Sequence, residues 1–278
     1  MPIKKKIKNI FKPAELSSEE LNRALYETSV KLQHANKELT DIHNQQKELF
    51  LNISHDLRAP VALAKSSIES MLIHQPESKE EIHKELDLVY KRISQMEKMV
   101  NDIFTLASID AKRIPFHPEV VNLGLFLEDI FYMFEADELF SKRDLALDIP
   151  VELPYDVNLD PDLFTTVINN LFMNALKFTK DNDTIALSAY PVSDNMICIK
   201  ITDSGIGIKQ EHIEHIFDRS YMVEDARTPG QNKGHGLGLS IVKSIVKLHD
   251  GSITCESEYG VFTSFFINIP IYTNLSDK

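Results

Sequence analysis

Phosphate chemistry is what the reactive residues of this chain suit best. His55 is followed by Asp56. Its imidazole has an ordinary pKa of about 6.5, so at neutral pH it is largely uncharged and nucleophilic. It stands two positions past Ile53, a seam residue of a helical repeat, and should project outward where a phosphate can reach it. Asn170 and Asn174 lie one helical turn apart and share a face. Gly234, Gly236 and Gly238 run straight into an apolar helical stretch. Free N–H groups and the positive end of a helix dipole would make a phosphate site there. Asp203 leads a turn containing Gly205 and Gly207, which permit φ > 0 and close backbone approach. His212 and His215 form an i, i+3 pair without a third histidine or a carboxylate-rich setting, so a solvated face is expected. The histidines other than His55 are expected at the surface as well.

The elements that must position these groups come in two styles. Leu21, Leu25, Thr28, Leu32, Ala35, Leu39, Ile42, Gln46, Leu49 and Ile53 alternate steps of four and three, the spacing of a coiled coil. The stripe then slips to Leu57, Val61, Ala64, Ile68 and Met71, and Pro60 falls at the slip, where a bend is expected. His74–Ser78, with Pro76, reads as a turn. A second stripe follows through Ile82, Leu86, Val89, Ile93, Met96, Val100, Ile103 and Ala107. Two helices and a short loop make a hairpin, and two hairpins make a four-helix bundle, so a homodimer is expected. Pro115 and Pro118 mark a linker. Short β-like runs (Leu145–Ile149, Thr184–Tyr190, Met196–Thr202, Ser252–Glu256, Thr263–Ile269) then alternate with helical stretches (Leu123–Glu138, Pro161–Phe178, Leu237–Leu248). This order predicts an α+β sandwich with helices on one face of a largely antiparallel sheet. Arg219–His235 has no apolar period and reads as a long functional or disordered loop.

A length of 278 residues suits two domains, and a net charge of −12 argues against nucleic acid as a partner. The first dozen residues are the local exception: Lys4, Lys5, Lys6, Lys8 and Lys12 alternate with Ile3, Ile7, Ile10 and Phe11. Such a segment suits an anionic membrane surface or the end of a membrane anchor, and equally a frayed terminus. Cys198 and Cys255, each inside a β-like run, read as half-buried residues in a reducing compartment. No apolar run is long enough to span a bilayer, and a cytoplasmic location is expected, alone or as the cytosolic part of a membrane sensor.

The motifs resemble those of sensor histidine kinases, in order and in separation, over roughly residues 45–270. Phe50-Leu51-Asn52-Ile53-Ser54-His55-Asp56-Leu57-Arg58-Ala59-Pro60-Val61 resembles the phosphoacceptor box, and Asn170-Leu171-Phe172-Met173-Asn174-Ala175-Leu176-Lys177-Phe178-Thr179 the N box. Asp203-Ser204-Gly205-Ile206-Gly207-Ile208 and Gly234-His235-Gly236-Leu237-Gly238-Leu239 are similar to the two glycine boxes, and Ile216-Phe217-Asp218-Arg219 to the F box. Absence of Gly-Lys-Ser/Thr excludes a Walker A loop, and the spacing excludes a dinucleotide fingerprint.

The resemblance implies a helical hairpin forming a dimeric four-helix bundle, followed by an α+β sandwich of the histidine-kinase, chaperone and topoisomerase ATPase type. Implied boundaries are a basic segment at 1–16, a coiled-coil signalling helix at 17–47, the dimerisation and phosphoacceptor domain at 48–112, the ATP-binding domain at 113–272 and a tail at 273–278. The implied activity is ATP-dependent autophosphorylation of His55, with Asp56 as orienting base, and transfer to an aspartate on a response regulator receiver domain. Asn174, with Asn170, would hold Mg²⁺ on the triphosphate, and Lys177 would add a charge. Phe178 would pack on adenine and Asp203 accept from its amino group. Gly205, Gly207, Gly234, Gly236, Leu237, Gly238 and Thr263 would complete the nucleotide site. Arg219, with Arg227, would meet the γ-phosphate or the bundle. Three departures stand out: Ser220 replaces a usual aromatic, Met222 a frequent basic residue, and Phe262 a frequent glycine. A fourth is Ala59, four residues after His55, where a Thr or Asn would position water. Weak phosphatase activity is therefore expected. Two other readings remain: a catalytically weak ATP-binding dimeric adaptor, and an ATP-driven clamp.

Overall fold

The computed structural model describes residues 18–74, 78–150, 153, 155–222 and 236–273. The chain divides into two compact units, Met1–Ser54 and His55–Lys278. The first helix, α1 (Ser18–His74), belongs to both and continues through Pro60. In the first unit it exposes Leu25 and Leu32 of the heptad stripe, alongside an Arg23–Glu27 pair one turn apart.

In the second unit, α1 continues to His74, and α2 (Lys79–Asp110) begins after Ser78. Ser78 caps α2 by accepting the Glu81 amide at 3.1 Å, and Glu80 and Glu81 complement the positive end of the helix. The remainder of the turn, residues 75–77, lies outside the described residues. The predicted stripe of α2 divides in two. Val89, Met96 and Ile103 are sheltered together with Glu85, Arg92, Met99 and Leu106, a heptad row. Ile82, Leu86, Ile93 and Val100 form a second row that stays exposed.

After the linker, β1 (Glu119–Asn122) pairs antiparallel with β3 (Asp156–Leu159), a small sheet absent from the sequence expectation because each strand has only four residues. Between them come α3 (Leu123–Ala136), a 3₁₀ turn at Glu138–Phe140 and β2 (Asp144–Asp148). Then follow α4 (Pro161–Phe178), β4 (Thr184–Ser193), β5 (Met196–Asp203), the short α5 (Gln210–Ile213), α6 (Gly238–Leu248), β6 (Ser252–Glu258) and β7 (Phe262–Pro270). The main sheet has the order β2-β4-β5-β7-β6, antiparallel apart from the β2–β4 pair.

Period-2 alternation buries Ile185, Leu187 and Ala189 of β4 and Ile267 and Ile269 of β7. Helices α4 and α6 pack together and bury Phe164, Val167, Ile168, Leu171, Phe172, Ile241 and Ile245. Phe172 stacks on Phe134 of α3 at 4.1 Å. The result is the sandwich the sequence predicted, with its helices in one layer.

Candidate functional site

The centre of the site is α4, whose start is fixed by Asp160. That carboxylate accepts the Leu163 amide at 3.1 Å, and Pro161 occupies the first turn, where its missing N–H costs nothing. The face that buries Phe164, Ile168 and Phe172 leaves Asn170 and Asn174 on the opposite edge. Asn170 is itself 9% exposed. Its Nδ2 donates to the Thr166 carbonyl at 2.9 Å, which orients the amide and turns Oδ1 away. A Cβ placed on Gly238 would lie 2.9 Å from that oxygen, so the start of α6 approaches the Asn170 amide closely. Asn174 is half-buried one turn further along.

Helix α6 begins at Gly238 with Leu237 in the cap position, and no side chain caps it. Leu237 is buried, and the first N–H groups of α6 lack a side-chain acceptor. Such an end attracts anions. Gly236, at φ 67, accepts the Ser220 amide at 3.1 Å. Gly234 and Arg227 lie outside the described residues.

At the other end of α4, Phe178 supplies a carbonyl that accepts the Ile206 amide at 3.1 Å. A Cβ on Gly205 would sit 2.4 Å from this oxygen, so only glycine fits. The side of Gly207, at φ 65, is closed by the Glu258 carbonyl, 2.2 Å from an added Cβ. The glycine loop is thereby held between α4 and the β6–β7 turn, where Gly260 donates to the Ile206 carbonyl at 2.8 Å and Ile208 donates to Ser257 Oγ at 2.8 Å. Ser257, Glu258 and Gly260 were not identified from the sequence, since nothing local distinguishes them from an ordinary hairpin.

Asp203 ends β5 directly opposite Thr263 of β7, and both are buried. Burial pushes the Asp203 carboxyl up to about 6; the Gly205 N–H, donating at 3.0 Å, opposes the shift, and nearby Asp183 adds to it. Thr263 Oγ1 lies 3.3 Å from Ser257 Oγ. Phe178 is half-buried, and the ammonium of Lys177 lies 4.8 Å from its ring centroid. Partial burial lowers the Lys177 pKa.

Two expectations need correction. His249 is buried, not solvated: Asp160 N donates to its Nε2 at 2.9 Å, and its Nδ1 lies 2.8 Å from the Ile245 carbonyl. Those partners fix the neutral tautomer, with Nδ1–H donating, and burial lowers its pKa accordingly. Phe116 of the linker packs edge-on against the ring. The His212 ring is half-buried, with Nδ1 at 2.8 Å from Tyr221 Oη, and His215 lies beside the same ring. Tyr221, one residue after Ser220, is thus the aromatic ring against both histidines. No cluster of three metal-ligating side chains occurs among the described residues. Cys198 is fully buried, whereas Cys255 is half-buried.

Arg219 is turned to the end of α2. Its guanidinium donates to both oxygens of Asp110, at the end of α2, at 2.6 Å each. That carboxylate raises the Arg219 pKa, with burial opposing. His55 and Asp56 lie within α1, and their side chains are outside the described ones.

An α+β sandwich that joins an asparagine helix to two glycine loops defines an ATPase fold. Residues 159–273 match the model of the histidine kinase-, DNA gyrase B-, and HSP90-like ATPases, and residues 45–112 match the His Kinase A (phospho-acceptor) domain. The chain is 33% identical over 240 residues to the sensor protein SrrB of Staphylococcus aureus, covering 84% of this chain and 40% of that protein. The chain thus spans less than half the length of the curated relatives it matches. The Acinetobacter baumannii histidine kinase AdeS shares the fold at a TM-score of 0.63 and 20% identity, over 79% of this chain and 98% of that one. Histidine kinase ThkA, solved in complex with the response regulator protein TrrA, does so at 0.64 and 21%, over 81% and 61%. The chain belongs to the sensor histidine kinases, and what it carries is their catalytic core. None of the described helices is long and apolar enough to cross a membrane.

Proposed function

We propose that the chain uses Mg-ATP to phosphorylate its own His55 and passes the phosphoryl group to an aspartate of a response regulator receiver domain. The observation that carries this reading is the approach of the Asn170 amide oxygen to Gly238 at the uncapped start of α6. Metal-directed oxygen and anion-directed N–H groups then bracket one place, as a metal-bound triphosphate requires.

Asn174 and Asn170 would hold Mg²⁺, whose contribution is to neutralise charge on the phosphates. Asp203, opposite Thr263, accepts from the adenine amino group, and Phe178 packs on the base. The N–H groups from Gly236 to Gly238 face the phosphates, and Gly234 of the same motif is assigned to them from the sequence. Lys177 adds a positive charge, with Gly205 and Gly207 letting the backbone close on the base. His55 Nε2 attacks the γ-phosphorus, the bond to the bridging oxygen breaks, and ADP departs. Asp56 holds the Nδ1–H throughout. The rate derives from positioning and charge neutralisation.

The functional organisation follows the boundaries expected from the sequence: a basic segment to residue 16, a signalling helix at 17–47, a phosphoacceptor domain at 48–112, and an ATP-binding domain at 113–272 with a short tail. The hairpin pairs with a second copy, and the lysines before residue 13 contact an anionic membrane surface, on the cytosolic side. Ala59 leaves no hydroxyl or amide to orient water, so phosphatase activity is weak.

The test is incubation with γ-labelled ATP and Mg²⁺. An acid-labile, base-stable label that disappears in His55→Ala, while ADP binding persists, is the expected result. Nucleotide binding without any label would leave the adaptor reading instead.

A further inference from the structure

Arg143 lies outside every motif, yet it grips the end of the helix that carries both asparagines. It follows the 3₁₀ turn and precedes β2, and its side chain is 12% exposed. All three edges of its guanidinium are used: Nε donates to Thr179 Oγ1 at 2.9 Å, Nη2 to the Thr179 carbonyl at 2.9 Å, and Nη1 to Asp181 Oδ1 at 3.0 Å. Thr179 Oγ1 in turn donates to the Ala175 carbonyl at 2.8 Å, closing the last turn of α4. Flanking backbone bonds extend this grip: Asn182 donates to the Lys142 carbonyl at 2.8 Å and Asp144 to the Asp183 carbonyl at 3.0 Å. A cation at this end also suits the negative pole of α4.

The adjacent residue is Phe178, whose carbonyl receives Ile206 and leaves Gly205 no room for a Cβ. Any shift of the last turn of α4 therefore moves the glycine loop, and with it the Asp203–Gly205 bond. We propose that Arg143 is a positioning residue for nucleotide binding, fixing the junction between the end of α4 and the Asp203–Gly207 loop. The base end of the nucleotide depends on it, and the phosphate end at α6 does not. This inference rests on the ATP-binding reading above.

A guanidinium fork is needed, because a lysine can reach only part of this acceptor set. In the full chain, Arg143→Met should weaken ADP binding by calorimetry about tenfold, and Arg143→Lys by an intermediate factor. The KM for ATP should rise in parallel, with kcat at saturating ATP within about twofold of the unmutated value. Thr179→Val, which removes the hydroxyl's bonds to Nε and to the Ala175 and Leu176 carbonyls, should weaken ADP binding about threefold and serves if Arg143→Met does not fold. A purely structural role would lower the unfolding temperature while leaving ADP affinity and KM unchanged; that result, or an equal fall in kcat, overturns the proposal. Absence of ADP binding in the unmutated chain would instead remove the ATP-binding reading, and this proposal with it.

Discussion

The sandwich and the helical hairpin dispose of their apolar residues in opposite ways. In the sandwich, Phe164, Phe172, Ile185, Leu187 and Ile267 are completely enclosed. In the hairpin, Leu86 is 52% exposed, Ile93 50% and Phe104 67%, while α1 leaves Val61, Ile68 and Leu72 open. Within α2 the exposed apolar row is as regular as the sheltered one, so the exposure is patterned. The sheltered row even contains a buried Arg92 Nε without a hydrogen-bond partner. A buried donor left this way is costly. The sandwich is thus a finished core, whereas the hairpin leaves a patterned apolar row open, which is what the proposed pairing with a second copy requires.

The comparison breaks most visibly if the second row is made polar. Leu86→Glu combined with Ile93→Glu removes two side chains worth ~1.5–3 kcal/mol each when buried. The dimer should weaken by at least about a hundredfold in sedimentation, while the ADP affinity of the sandwich stays within about twofold. A dimer that survives both charges would mean that the exposed row is not the seam.

How far the sequence reveals these two regions follows from the same contrast. Long periodic helices and alternating strands announce themselves, and Pro161–Phe178 was readable to the residue because Asp160 and Pro161 mark its start. The split of the α2 stripe was hidden, since Ile82 to Ala107 satisfies one heptad count equally well whichever row faces inward. The strands Glu119–Asn122 and Asp156–Leu159 are too short to carry a period. In the site, Asn170, Asp203 and the glycines were legible as motifs because chemistry restricts them to few residue types. Arg143, Ser257 and Tyr221 act through contacts to residues elsewhere in the sequence, which no local pattern encodes. His249 was mistaken for a surface residue for the same reason: its partners, Asp160 and Phe116, lie far upstream.

A smaller effect sharpens the sandwich side. Because the Asp203 carboxyl titrates at about 6, above the usual carboxylate range, the nucleotide-free fold binds that proton more tightly than the unfolded chain does. Its contribution to stability is therefore present at low pH and lost as pH rises towards 6. Nucleotide binding runs the other way, since the adenine amino group favours the ionised acceptor. ADP affinity should fall about tenfold between pH 7 and pH 5, in calorimetry. The slope remaining in Asp203→Asn reports the phosphates alone. An unchanged slope in that variant would remove Asp203 from the binding site.

The smallest effect concerns an ion pair that joins hairpin and sandwich in the second unit. Arg219 and Asp110 form a two-pronged bridge, but their side chains are 35% and 41% exposed. Exposed pairs contribute ~0–1 kcal/mol, so releasing this one can change a rate by no more than about fivefold. The direction follows from charge: while both carboxylate oxygens hold the guanidinium, the edge of Arg219 formed by Nη1 and Nη2 is committed to Asp110 and its charge is partly neutralised before it meets a phosphate. Asp110→Asn keeps the shape and removes the charge, and should raise the initial autophosphorylation rate two- to fivefold. Added salt should raise the unmutated rate towards the variant's, because screening weakens the same contact. A fall in rate would show that the bridge holds the hairpin and sandwich in a productive arrangement, and that Arg219 works through the bundle.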